Sequence, residues 1–257
     1  MTYCLSLLCR EGIVCVSDSR TSAGVDHITV QSKMRVFVEE GQRVFCLMTS
    51  GNLSLSQTVV SFIEEDLLRG KAEPDVPHLL NRGTMFETAR YVGQKVRQVG
   101  ELDRAALESN GLSFNVNLLL AGQIAGHPPA AFHIYPQGNS LHTTVSAPFL
   151  QIGEFKYGKP ILDRGLTYHT PLREAVKLAL LSMDATLKSN VSVGPPLDLL
   201  VLATDALKVS ERVRIEENDG YLRDIQQRWG AGLVRLVAEM PAPQFPAVPF
   251  QPGAIVP

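Results

Sequence analysis

The sequence predicts an α+β fold in which two antiparallel sheets lie between outer helices. Three observations point there. Strand-like and helix-like segments come in blocks, which argues against the strict alternation of a doubly wound parallel sheet. Several strand-like segments are joined by short turns such as Arg10-Glu11-Gly12 and Glu39-Glu40-Gly41-Gln42. No Gly/Ser-rich or Pro-rich tract divides the chain, so residues 1–240 are expected to form one domain, followed by a Pro-rich tail at 241–257.

The elements follow in order. Tyr3 to Cys9 is a predicted strand, and Gly12 turns the chain into a second, nearly all-apolar strand from Ile13 to Val16. Such a run predicts burial on both faces. The hairpin returns Ser17-Asp18-Ser19-Arg20 to the end at which residue 2 lies. Short strands are expected at 28–31 and 34–38, and an apolar one at 44–48. Ser50-Gly51-Asn52 then opens a helix, with Ser50 or Asn52 as its N-cap and Leu55, Val59, Phe62 or Ile63, and Leu67 on one side. After a break at 70–77, one long helix is predicted from about His78 to about Glu108, because Met85, Ala89, Val92, Val96 and Val99 recur at helical spacing. Strands follow at 113–124, 130–135, 141–146 and 149–152. A helix at 172–188 begins beside Pro171. Strands at 197–203 and 208–215 and a helix at 221–238 complete the pattern.

Composition excludes several functions. The 257 residues are 45% hydrophobic and 19% charged, ordinary for a protein with a sizeable core. A net charge of −2 gives no electrostatic case for nucleic acid or an anionic membrane. No apolar run approaches the roughly 20 residues of a membrane span. The N-terminus lacks a basic segment, and Arg10 and Glu11 interrupt its apolar stretch, so a mature, cytoplasmic start is expected rather than a signal peptide. Cys4, Cys9, Cys15 and Cys46 lie in or beside strand-like segments and are expected as buried, reduced thiols. Neither the cysteines nor His27, His78, His127, His133, His142 and His169 show metal-ligand spacing. Tyr157-Gly158-Lys159-Pro160 is no phosphate loop. No metal or cofactor is expected.

Thr2, Asp18 and Lys33 stand out together. A threonine hydroxyl is a weak nucleophile unless a base takes its proton, and an N-terminal threonine carries one, its own α-amine, with a reference pKa of about 7.7–8.0. A nearby lysine favours the neutral amine and an ionised hydroxyl, and an aspartate pairs with that lysine and positions it. Backbone N–H groups at a helix start, here Ser50-Gly51-Asn52, supply oxyanion stabilisation. Taken singly, each residue has a plain structural explanation: Asp18 caps a turn, Lys33 is a solvated surface charge. Their joint order in a strand–turn–strand frame favours chemistry. Arg20 is either a structural partner of Asp18 or a substrate-side residue.

The run Thr2 … Ser17-Asp18-Ser19-Arg20 … Lys33-Met34-Arg35 … Ser50-Gly51 resembles the active-site framework of proteasome β subunits and their bacterial relatives (peptidase family T1). The opening, including Ala23-Gly24-Val25-Asp26-His27, is most similar to the bacterial ancestral β-subunit group, Anbu. The resemblance implies a four-layer αββα Ntn-hydrolase sandwich, N-terminal threonine peptidase activity on a peptide substrate, and self-association into a ring or spiral homo-oligomer. By position it makes Thr2 nucleophile and base, Asp18 and Lys33 its supports, and Gly51 an oxyanion donor. Two positions depart from the pattern. Glu154, in Ile152-Gly153-Glu154, stands where a serine is expected, and Ser189 stands near an expected aspartate. The resemblance admits Glu154 as a substitute for the missing acid. Because Thr2 follows Met1, removal of Met1 is expected to free the amine without self-cleavage. Two other functions stay open: a catalytically silent scaffold of the same fold, and an Ntn amidase acting on a non-protein amide.

Overall fold

The computed structural model describes residues 1–22 and 28–245. The Ala23–His27 stretch that contributes to the resemblance lies outside the described residues. The elements run β1 (Tyr3–Cys9), β2 (Gly12–Asp18), β3 (Arg20–Ser22), β4 (Ile28–Val30), β5 (Met34–Glu39), β6 (Arg43–Gly51), α1 (Leu53–Ala72), a 3-10 turn (Leu79–Asn81), α2 (Met85–Ser109), β7 (Val116–Ile124), β8 (Ala130–Ile134), β9 (Ser140–His142), β10 (Phe149–Gly153), α3 (Lys159–Gly165), α4 (Leu172–Ser189), β11 (Leu197–Ala203), β12 (Glu211–Ile215) and α5 (Gly220–Glu239).

Two five-stranded antiparallel sheets form, ordered β10-β1-β2-β11-β12 and β5-β6-β7-β8-β9, beside a small β3–β4 ribbon. Strand periodicity of two explains why their central strands are apolar throughout. On β1, Tyr3, Leu5, Leu7 and Cys9 face the α3–α4–α5 layer, whereas Cys4 and Leu8 face the other sheet. On β6, Phe45 and Leu47 meet α1 and α2, whereas Val44, Cys46 and Met48 meet the first sheet. Three apolar cores therefore separate four layers, αββα, as expected. Each fully buried leucine or isoleucine in them contributes about 1.5–3 kcal/mol. All four cysteines are free and buried.

Helix boundaries correct the sequence in two places. The long helix expected from His78 is broken: Thr84 caps α2, accepting from Glu87 N while the Glu87 carboxylate accepts from Thr84 N. This capping box starts the helix afresh at Met85 and leaves His78 to cap the separate 3-10 turn. The short helix α3 was not expected, because its seven residues are too few to display a period. Asn52, not Ser50, caps α1, accepting from Ser54 N at 3.0 Å and Leu55 N at 3.4 Å. The strand expected at 141–146 shrinks to β9, with Thr144 and Ala147 closing a turn. Among the described residues no helix is long and apolar enough to cross a membrane. In α5, Leu222 alone is buried, and Leu233, Val234, Leu236 and Val237 are exposed.

Candidate active site

Thr2 directly precedes β1 and is only 8% exposed. The β1–β2 register, with Cys4 opposite Ser17, sets Asp18 opposite Tyr3. Asp18 is wholly buried. Its Oδ1 accepts from Tyr3 N at 3.0 Å and from Lys33 Nζ at 2.7 Å, and its Oδ2 accepts from Gly194 N at 3.5 Å. Burial pushes the Asp18 carboxyl above its ordinary value, while Lys33 and the two amides work against that rise. Lys33 is held from the opposite sheet, where its carbonyl accepts from Thr49 N at 3.0 Å. The Lys33 ammonium also donates to Arg20 O at 2.6 Å. Supplementary bonds of this kind offset the desolvation cost of a buried ion pair. Arg20 itself turns away from Asp18, its Nη1 donating to Val191 O at 2.8 Å; of the two roles left open, a direct partnership with Asp18 is not what its side chain adopts.

Gly51 ends β6 with φ +100°, and a Cβ there would collide with the Asn115 carbonyl. Glycine is therefore required on both steric and conformational grounds. Asn52 N donates to Asn115 O at 2.8 Å on the β7 side, whereas Thr49 N donates to Lys33 O on the β5 side. Antiparallel alternation then turns the Gly51 N–H toward the Lys33 side. The N-terminus of α1 adds its partial positive charge at the same place.

On the other flank, Tyr3 pairs with Gly153 across β1 and β10. Gly153 has φ +85°, and a Cβ there would strike the Thr2 carbonyl. That carbonyl accepts from Glu154 N at 2.7 Å. Glu154 is thus beside Thr2 through its main chain. Its carboxylate accepts from Lys156 N at 3.3 Å and Asn190 Nδ2 at 3.1 Å, toward the end of α4. Ser189 is the exposed last residue of α4 and is not brought to the cleft. Asn190, the next residue, is the one that reaches Glu154.

Thr2, Lys33 and Gly51 line one cleft of about 1070 Å³, together with Met1. Asp18 stands behind Lys33. Sequence reasoning missed Thr21, Asn115, Asn117 and His133, which also line this cleft. The His133 Nε2–H donates to Asn117 Oδ1 at 3.0 Å, and Asn117 Nδ2 donates to Asn115 Oδ1 at 3.0 Å. Burial pushes the His133 imidazole down to about 4, so the chain of bonds is neutral near pH 7. The period-two polar pair Asn115 and Asn117 at the start of an otherwise apolar strand was the available signal. Among the described residues no His/Cys/Asp/Glu cluster suits a metal ion.

No protein-family profile matches the chain, and no curated protein sequence matches it. Solved structures do. Anbu (ancestral beta-subunit) from Yersinia bercovieri is 42% identical, covering 95% of this chain and 100% of its own, with a TM-score of 0.87. The chain belongs to the Anbu family. Anbu from Hyphomicrobium sp. strain MC1 is 39% identical, over 95% of this chain and 100% of its own, at a TM-score of 0.86. The helical assembly of the Anbu complex from Pseudomonas aeruginosa contains a chain 42% identical, over 94% and 98% of the two chains, at a TM-score of 0.88. The fold of this Anbu chain is accordingly the proteasome-like one.

Proposed function

We propose that this chain is an N-terminal threonine hydrolase cleaving peptide bonds, with Thr2 as nucleophile once Met1 is removed. The observation that carries the reading is the buried Asp18–Lys33 pair beside Thr2, on one cleft with Gly51. The freed α-amine accepts the Thr2 hydroxyl proton as Oγ attacks the substrate carbonyl carbon. The Lys33 ammonium favours the oxyanionic form of Oγ and the neutral amine, and Asp18 keeps it in place. The Gly51 N–H and the head of α1 stabilise the tetrahedral oxyanion. Collapse breaks the C–N bond, the leaving amine takes the proton from the Thr2 ammonium, and water then hydrolyses the Thr2 ester by the same steps. In this scheme Glu154 positions Thr2 through its N–H, and Ser189 takes no part.

Self-association belongs to the same proposal. The P. aeruginosa relative is described as a helical assembly. The exposed apolar residues along the second half of α5 are the kind of surface that association covers. Four free, buried thiols favour a reducing compartment such as the cytoplasm.

A scaffold of the same fold is the second reading, favoured by the Glu154 carboxylate being engaged by Lys156 and Asn190 rather than by Thr2. Intact-mass measurement and N-terminal sequencing separate the two. A chain starting at Thr2 that turns over peptide amides supports the hydrolase. Retained Met1 locks the amine in a peptide bond and selects the scaffold.

A further inference from the structure

A second recess, of about 300 Å³, lies between α1 and the start of β5. It shares Lys33, Thr49 and Ser56 with the Thr2 cleft, so the two spaces adjoin. We propose that this recess receives a carboxylate-bearing side chain, aspartate or glutamate, on the substrate residue whose carbonyl Thr2 attacks, with Arg35 as its counter-ion. The proposal rests on Thr2 being the nucleophile.

Arg35 carries the argument. Its β5 register opposite Leu47 aims it at the α1 side, the side on which Leu47 packs. It is half-buried in the recess, yet its guanidinium makes only long bonds to neutral carbonyls, Ser32 O at 3.4 Å and Met34 O at 3.3 Å. Among the described residues it pairs with no carboxylate, whereas Lys33, two positions earlier, is fully engaged by Asp18 and Arg20. A guanidinium has five donors and a fork that matches a carboxylate. Two residues of extended chain place it about 6–7 Å beyond Lys33, within reach of an acidic side chain entering from the cleft.

The rest of the recess agrees. Thr49, Ser56 and Gln57 give it a polar wall, so an aliphatic side chain would leave Arg35 without an acceptor. Glu64 is the opposing charge. It is exposed and lies two helical turns past Ser56, about 12 Å along α1. Water and salt screen it there.

The test is a set of peptide epoxyketones carrying Glu, Gln, Leu or Lys next to the warhead, incubated with the full chain. Adduct formation on Thr2 is followed by mass spectrometry. The Glu probe is expected to label about 10- to 100-fold faster than the Gln probe, the fold-change of one charge-assisted hydrogen-bonded pair. Arg35→Gln should erase that ratio while leaving the Gln probe within a few fold, and Arg35→Glu should shift preference toward Lys. Equal labelling by the four probes in the unaltered chain, or preference for Leu or Lys, overturns the subsite while leaving the nucleophile standing. A Glu preference that survives in Arg35→Gln overturns the role of Arg35. No Thr2 adduct from any probe overturns the nucleophile reading and the subsite with it.

Discussion

The two flanks of Thr2 are built on different principles. On the β2 side, a carboxylate and an ammonium are buried against each other within 2.7 Å, and the chain spends charge there. On the β10 side, Thr2 is gripped by main chain, the Glu154 N–H at 2.7 Å, and the nearest carboxylate is engaged with Lys156 and Asn190. In the proposed mechanism the first flank alters reactivity and the second sets position. Buried charge is stable only as a pair, so the first flank tolerates little change. Main-chain contact depends on backbone geometry, so the second flank is sensitive at Gly153 and forgiving at side chains.

Lys33→Ala should break the comparison most severely. It strands the Asp18 carboxylate, costing about 3–5 kcal/mol in urea denaturation and lowering peptide turnover about 100-fold or more. Asp18→Asn combined with Lys33→Met should recover most of the stability and none of the turnover. Stability restored by the double variant together with activity would mean that the pair is structural only.

The pH response sharpens the electrostatic half. Burial raises the Asp18 carboxyl, so the folded chain takes up a proton there above the unfolded value of about 3.9. Asp18 therefore contributes stability that is fully present below that value and is lost as pH rises through the folded one. Turnover moves oppositely, falling on acidification as Lys33 loses its counter-ion. Urea titrations across this range should show a component that disappears in Asp18→Asn.

Gly153→Ala tests the positional half. The added Cβ meets the Thr2 carbonyl at a positive φ, so Thr2 must shift. Turnover should fall about 10- to 100-fold, since small misplacements of reacting groups are costly, with about 1–3 kcal/mol of strain. Glu154→Ala is expected to be milder: about 1–2 kcal/mol from the lost bond to Asn190, with turnover within about threefold. A loss as large as that of Lys33→Ala would make Glu154 the substitute acid. Ser189→Ala, at an exposed helix end, should change neither quantity measurably, within about 0.5 kcal/mol.

The flank that was legible in the sequence is the local one. Thr2, Asp18 and Lys33 lie on one hairpin and the approach to β5, and Gly51 marks the start of α1. Turn residues and strand period were enough to bring Thr2 and Asp18 near one another, and the order of Lys33 and Gly51 in the chain supplied the resemblance that joined them. The other flank depends on β10 pairing with β1 and on α4 ending beside it, contacts between residues some 150 to 190 positions apart. Local patterns placed Glu154 and Ser189 there only by resemblance, and one residue decided the outcome: Asn190, not Ser189, faces inward. His133 was invisible as a site residue because its role comes from the alignment of β8 with β7, which sets it beside Asn117.

By itself the sequence determined the α+β class, the strand pairs joined by tight turns, the burial of the cysteines and the proximity of residue 2 to Asp18. These follow from short-range periodicity and turn chemistry. Tertiary structure decided how two sheets stack, so that Lys33 from one reaches Asp18 in the other, which way Glu154 points, and that Arg35 lines a recess adjoining the Thr2 cleft. Sheet stacking and the β1–β10 pairing join residues far apart in the chain, and a one-residue slip in such a register turns a strand's side chains to the opposite face.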